Sequence, residues 1–108
     1  SLKFPLEVGK SWEAKFVVSS PSGAKSRGTM DTRVAAFEKV KTPAGEFDAY
    51  RVTSEGWING MSWNGSFKRV MTQWYAPSVH RVVRTEWKEY RRGGDEGISE
   101  LKAFQAAP

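Results

Sequence analysis

The sequence predicts an all-β protein: a curved antiparallel meander of about six long strands, forming a half-barrel or open barrel. Three observations carry this expectation. Apolar and polar residues alternate with a period of two, most clearly where Trp12, Ala14, Phe16 and Val18 interleave with Glu13, Lys15, Val17 and Ser19. Turn signals fall near residues 21, 43, 59, 77 and 93, and the last four are almost evenly spaced. The stretch 70–87, VMTQWYAPSVHRVVRTEW, reads as a strand, a tight proline turn and a returning strand. Strands of ten or more residues exceed the usual five or six, so they must twist and the sheet must curl.

In order, residues 1–9 form an extended lead-in in which Pro5 argues against helix, and Phe4, Leu6 and Val8 supply apolar side chains to pack across an open end. Trp12 opens the first strand, which the turn Ser20-Pro21-Ser22-Gly23 closes. A long second strand covers 26–40, and Ala35-Ala36 is where it would break. Residues 33–41 also carry a three-residue apolar spacing and helix-forming Ala, Glu and Lys. Thr42-Pro43-Ala44-Gly45 is the next turn. The third strand, 46–57, places Tyr50 and Val52 on one face and Phe47 and Ala49 on the other. Asn59-Gly60 is expected as the hairpin turn because both positions tolerate positive φ, with Asn64-Gly65 as a bulge and Trp63 covering Gly56. The fourth strand then runs to Tyr75 and the fifth from about His80 to Arg91. Gly93-Gly94 turns the chain into a sixth strand holding Ile98, Leu101 and Phe104.

The chain has 108 residues and is expected to be one domain, residues 1–108, excised from a longer secreted or lipid-anchored protein. Five tryptophans can carry much of the burial. The absence of cysteine from the sequence removes disulfides and thiolate metal sites. There is no apolar run long enough for a transmembrane helix, and the first residues lack the pattern of a signal peptide. A formal charge of +5 favours anionic partners in general and solubility in particular.

With these turns placed, the chain resembles a family of bacterial envelope domains of unassigned function. The residues that carry the likeness are Phe4-Pro5-Leu6 with Val8-Gly9-Lys10-Ser11-Trp12, then Thr42-Pro43-Ala44-Gly45-Glu46-Phe47-Asp48-Ala49-Tyr50, then Trp74-Tyr75-Ala76-Pro77 followed by Val79 and Arg81-Val82-Val83. They match a lead-in PL-x-x-G-x-x-W, a VPAGTFDAY hairpin and a WYAPGVG hairpin. The resemblance implies a secreted or lipid-anchored setting, periplasmic or associated with the outer membrane. It also implies a fold similar to the half-barrels of the lipoprotein-localisation carriers LolA and LolB. It transfers no catalytic residue. Ser78 and His80 stand where that pattern tends to have glycine.

Residue constellations for chemistry are sparse. Gly9-Lys10-Ser11 lacks the earlier glycine and the following helix of a phosphate-binding loop, and Phe4 occupies the glycine position. His80 is the sole histidine, and Ser78 two residues away does not make a triad with it. Asp31, Asp48 and Asp95 are far apart and have no histidine or cysteine partners for zinc. Asn64-Gly65-Ser66 reads as turn chemistry rather than a glycan acceptor. No catalytic residue, metal or cofactor is expected.

Two binding surfaces are expected instead. Trp12, Phe16, Tyr50, Trp74 and Trp87 would either fill the concave face or line a cavity there for an apolar or lipid-like ligand. Lys68, Arg69, Arg81, Arg84 and Lys88 would form an anion-binding set on the fourth and fifth strands. Nucleic acid is disfavoured, because the basic residues divide between the two sides of the fifth strand. The function expected is a non-enzymatic binding or structural module of the bacterial envelope, whose partner is a lipid or lipoprotein. The alternative is a basic interaction module for an anionic polymer or protein.

Overall fold

The computed structural model of this chain describes residues 2–103. They form one six-stranded antiparallel sheet in sequence order: β1 (Ser11–Ser19), β2 (Lys25–Thr42), β3 (Gly45–Gly60), β4 (Ser66–Ala76), β5 (Arg81–Tyr90) and β6 (Glu96–Glu100). The sheet is curved and does not close into a barrel. Every neighbouring pair is antiparallel, as the even turn spacing implies. Among the described residues no helix is long and apolar enough to cross a membrane.

Residues 33–41 are strand, so the period-three spacing of Val34, Phe37 and Val40 does not make a helix. A bulge between Val34 and Ala36 shifts the register by one residue, which puts Phe37 on the same face as Val34 and leaves Val40 on the other. β2 thereby runs unbroken for 18 residues. A second bulge between Trp74 and Tyr75 does the same to β4 and β5. The β3–β4 turn differs from the sequence expectation. Asn59 pairs with Ser66 inside the ladder, and the loop is Met61 to Gly65, closed by Gly60 N–H donating to Gly65 C=O at 2.9 Å. Trp63 therefore lies over Gly60 and Gly65, while Gly56 faces Met30 and Arg69 across the sheet. β6 ends at Glu100, with Leu101 beyond it; Phe104 lies outside the described residues. At the β4–β5 turn, Pro77–Val79 makes one 3-10 turn that His80 closes with φ 51°, a left-handed position natural to glycine. One of the two glycines of the resembled pattern that this chain lacks falls on this position.

One face of the sheet carries most of the burial. Met30, Thr32 and Val34 from β2, Val52, Ser54 and Ile58 from β3, and Phe67 from β4 all project from it and are buried. Its deeper burial marks it as the inner face of the curved sheet. At one end the lead-in covers it: Leu6 packs on Val34 and Val52, with Trp12, Tyr50 and Tyr75 around them, and Phe4 meets Tyr75 edge-on at 5.0 Å. Gly9 N–H donates to Val34 C=O, and Lys10 Nζ donates to the carbonyls of Lys3 and Pro5, fixing the lead-in. The two hydroxyls buried in the middle of this face, Thr32 and Ser54, satisfy each other at 2.8 Å.

The outer face has its own small core at the same end. Val40, Ala49, Trp74, Ala76 and Val83 pack together there, with Phe47, Val79 and Leu101 against them. The chain after β6 is held down by Leu101 N–H to Val83 C=O at 2.8 Å and by Ala44 N–H to Leu101 C=O at 3.0 Å. Glu38 ties this cluster to the sheet, accepting from Trp74 Nε1 at 3.1 Å and from Arg51 Nε at 3.2 Å. The indole hydrogen bond, against some desolvation and aided by Arg51, holds the Glu38 carboxyl below its ordinary value of 4.5. A carboxyl whose pKa is depressed in the folded state stabilises the fold above its unfolded pKa and loses that contribution as pH falls through the folded value. Urea midpoints are therefore expected to fall as pH drops below 4.5, and less steeply in Glu38→Gln. Identical acid limbs for the two proteins would show that Glu38 carries no linkage.

Candidate functional site

The inner face away from the lead-in is floored by β-sheet side chains and rimmed by aromatics. Trp12 and Phe16 project from β1, Trp87 from β5, and Trp63 leans in from the β3–β4 loop; each is half-buried. Three of these rings lie on glycines, where the missing side chain makes room for them. Phe16 covers Gly28, Trp63 covers Gly60 and Gly65, and Trp87 covers Gly97. Trp63 Nε1 donates to Ser26 Oγ at 3.0 Å and its ring stacks on Phe67 at 6.4 Å. Trp87 Nε1 donates to Asp95 Oδ2 at 3.1 Å.

Of the five aromatics expected to share the concave face, Trp12, Phe16 and Trp87 do so. Tyr50 is on the same face but under the lead-in, beside Phe37 at 4.7 Å. Trp74 is on the opposite face, in the outer core. Trp63 was missed as a member of the rim. Its role depends on a loop that docks on β2, where Met61 and Ser62 N–H groups donate to Lys25 C=O and Lys25 N–H donates to Ser62 Oγ.

The basic residues also divide. Lys68, Arg84 and Lys88 lie on the outer face, each beside a carboxylate. Lys68 is 3.9 Å from Glu55, and Lys88 is 3.8 Å from Glu96 and sits 5.0 Å from the Tyr90 ring centre. Arg84 bonds Glu86 at 2.7 Å and Glu100 at 2.9 Å, and lies 5.5 Å from the Trp74 ring centre. The Glu86 hydrogen bond, outweighing desolvation and aided by the Glu86 and Glu100 charges, raises the Arg84 pKa further. Arg81 is exposed at the start of β5.

Arg69 is different. It projects from β4 onto the inner face, in the row that runs Ala14, Met30, Gly56, Arg69, Glu89 across five strands. Its Nε is fully buried and has no hydrogen-bond partner among the described residues. Glu89, directly opposite, is already engaged: its Oε1 accepts from Arg91 Nη2 at 3.1 Å and from the Asp95 N–H at 3.2 Å. Arg91 in turn lies 3.9 Å from the Phe67 ring centre. The only other fully buried, unpartnered side-chain donor among the described residues is Trp12 Nε1, also on the inner face.

Two surface grooves lie over the outer face. One, of about 580 Å³, runs between the cross-strand rows Glu13–Asp31–Glu55 and Ser11–Arg33–Thr53. The other, of about 410 Å³, is lined by Val70, Thr72, Glu86, Lys88, Tyr90 and Ile98. Among the described residues no group of three or more histidine, aspartate or glutamate side chains is placed to hold a metal ion.

A family model described as DUF3108-like matches residues 10–96, from the end of the lead-in into β6. The chain belongs to the DUF3108-like family. The match takes in the inner face from Trp12 to Trp87, Arg69 included. No curated protein and no solved structure matches the chain. In this DUF3108-like domain the arrangement offers an aromatic-rimmed face, a guanidinium on it whose buried Nε has no partner among the described residues, and an outer face whose charges largely answer one another.

Proposed function

We propose that this DUF3108-like domain is a non-enzymatic binding module of the bacterial cell envelope whose inner face takes a lipid-like ligand. The apolar chain lies among Trp12, Phe16, Trp63 and Trp87, and an anionic head meets Arg69. The observation that carries the reading is Arg69: a guanidinium held on an apolar face, with a buried Nε lacking any partner among the described residues. A buried donor left unmade costs about 1–3 kcal/mol, which a carboxylate or phosphate would recover. The aromatic rim supports the same ligand class, since apolar walls with a few placed polar groups are the usual makeup of a small-molecule site. The basic-module alternative has less support, because Lys68, Arg84 and Lys88 each stand beside a carboxylate. The envelope setting rests on the likeness of the lead-in and of the two hairpins to secreted domains, and fractionation of cells making the whole protein checks it.

Titration with a long-chain fatty acid and with the alcohol of the same length, read by tryptophan fluorescence, tests the ligand. Both should give a saturable shift, the acid binding about tenfold or more tightly than the alcohol. Arg69→Gln should erase that preference while leaving the alcohol unaffected. The absence of a saturable shift with either ligand would overturn the reading, and equal affinities in the unaltered protein would remove Arg69 from it.

A further inference from the structure

The geometry points to β1 as a dimerisation edge: we propose that two copies of this chain pair antiparallel through β1, with Glu13 of each opposite the partner's Lys15. Among the described residues β1 has a neighbour on one side only, β2. The hydrogen bonds at its two ends set its parity. Val34 N–H donates to Lys10 C=O, and Ser20 N–H donates to Ala24 C=O, both at 2.8 Å. Even-numbered residues therefore aim their backbone groups at β2, and alternation aims those of Ser11, Glu13, Lys15, Val17 and Ser19 at the open edge.

Of the usual edge protections this strand carries charge alone. β1 is nine residues long, with neither proline, glycine nor bulge in it, and its two charges, Glu13 and Lys15, are of opposite sign, so they repel a partner strand in some registers and attract a second β1 in another. The opposite edge is guarded: β6 has five residues, and a self-pairing centred on Ile98 would set Glu96 against the partner's Glu100.

Side-chain chemistry selects both the occupant and the register. Pairing centred on Lys15 would set lysine against lysine, and pairing centred on Glu13 would set glutamate against glutamate. Pairing centred on Phe16 leaves Lys15 opposite valine. Pairing centred on Ala14 faces Glu13 with the partner's Lys15 twice over. Glu13 and Lys15 already lie 3.5 Å apart within one chain, so the four charges alternate in sign. The same register places Trp12 opposite the partner's Phe16 on the inner face, an aromatic pair across a short ladder rung. It also covers Val17, which is 58% exposed in the single chain. The six-stranded sheet would be doubled, with both inner faces on one side. None of this depends on the lipid reading.

Sedimentation velocity over a range of concentrations tests the proposal. The unaltered chain should dimerise reversibly. Glu13→Lys alone and Lys15→Glu alone should each weaken the dimer about tenfold or more, since each converts two attractive cross-strand pairs into repulsive ones. The double variant Glu13→Lys/Lys15→Glu should restore it by rebuilding both pairs in reverse. Both side chains are more than half exposed, so circular dichroism should find every variant folded. A monomer at every concentration, single variants that dimerise as well as the unaltered chain, or a double variant that stays monomeric would each overturn the proposal.

Discussion

Gly56→Ala is expected to destabilise the fold by about 3 kcal/mol or more. A Cβ at this position would stand 1.9 Å from the Thr29 carbonyl oxygen and 2.8 Å from Met30 Cα. Both obstacles are backbone of the neighbouring strand, so no rotamer change relieves them. β2 and β3 would have to part at Met30–Gly56, inside the longest ladder in the sheet. A typical domain is stable by roughly 5–15 kcal/mol, so a loss of this size moves a large share of the total. Gly97→Ala is the control. There the clash, at 2.6 Å, is with the outer ring atoms of Trp87, a half-buried side chain at the sheet edge that can swing aside. Urea denaturation of the two variants should show a much larger drop in midpoint for Gly56→Ala. Equal drops would mean that the β2–β3 backbone approach at Gly56 is not rigid.

The strands and the order of the sheet were legible because they depend on local signals. Period-two alternation marked β1, and proline or glycine turns fixed the ends of most hairpins. The Met61 to Gly65 loop was not legible, because it is selected at a distance. Trp63 bonds Ser26, and the loop backbone bonds Lys25, 37 residues earlier for Trp63–Ser26. Two Asn-Gly pairs compete locally on equal terms, and only that docking separates them.

The faces of the sheet were legible up to each bulge and not past it. Simple alternation places Val83 with Trp87, yet the bulge between Trp74 and Tyr75 turns Val83 into the outer core, where it is 1% exposed. Trp74 needs no bulge to leave the concave set: it is one step along β4 from Tyr75, which pairs with Tyr50 on the inner face, so alternation alone sends it to the outer face. The candidate site was legible as residue types only. Arg69 belongs to the same sequence cluster as Lys68, but a single step along β4 sends the two to opposite faces. Whether a charge has a partner depends on cross-strand register, which composition does not encode.

Trp74→Ala is expected to cost about 3–5 kcal/mol. Trp74 is 9% exposed and is the largest side chain of the outer core. Its nearest buried companions include Ala49 and Ala76, both 0% exposed and too small to move into the space left behind. Removal also strips Glu38 of the indole donor and Arg84 of the ring it lies against. Trp74→Phe separates these effects. It keeps most of the packing but loses the hydrogen bond, so it should cost clearly less than alanine. It should also return the Glu38 carboxyl toward 4.5 and flatten the acid limb of the stability curve. Trp87→Ala should cost less than Trp74→Ala, because the Trp87 ring is half-buried over Gly97 and its removal opens a notch to solvent rather than a sealed cavity. Urea midpoints for the three variants, each at neutral and acidic pH, check the ranking. If Trp87→Ala proved as costly as Trp74→Ala, the aromatic rim would be core, and the inner face would have no surface to offer a ligand.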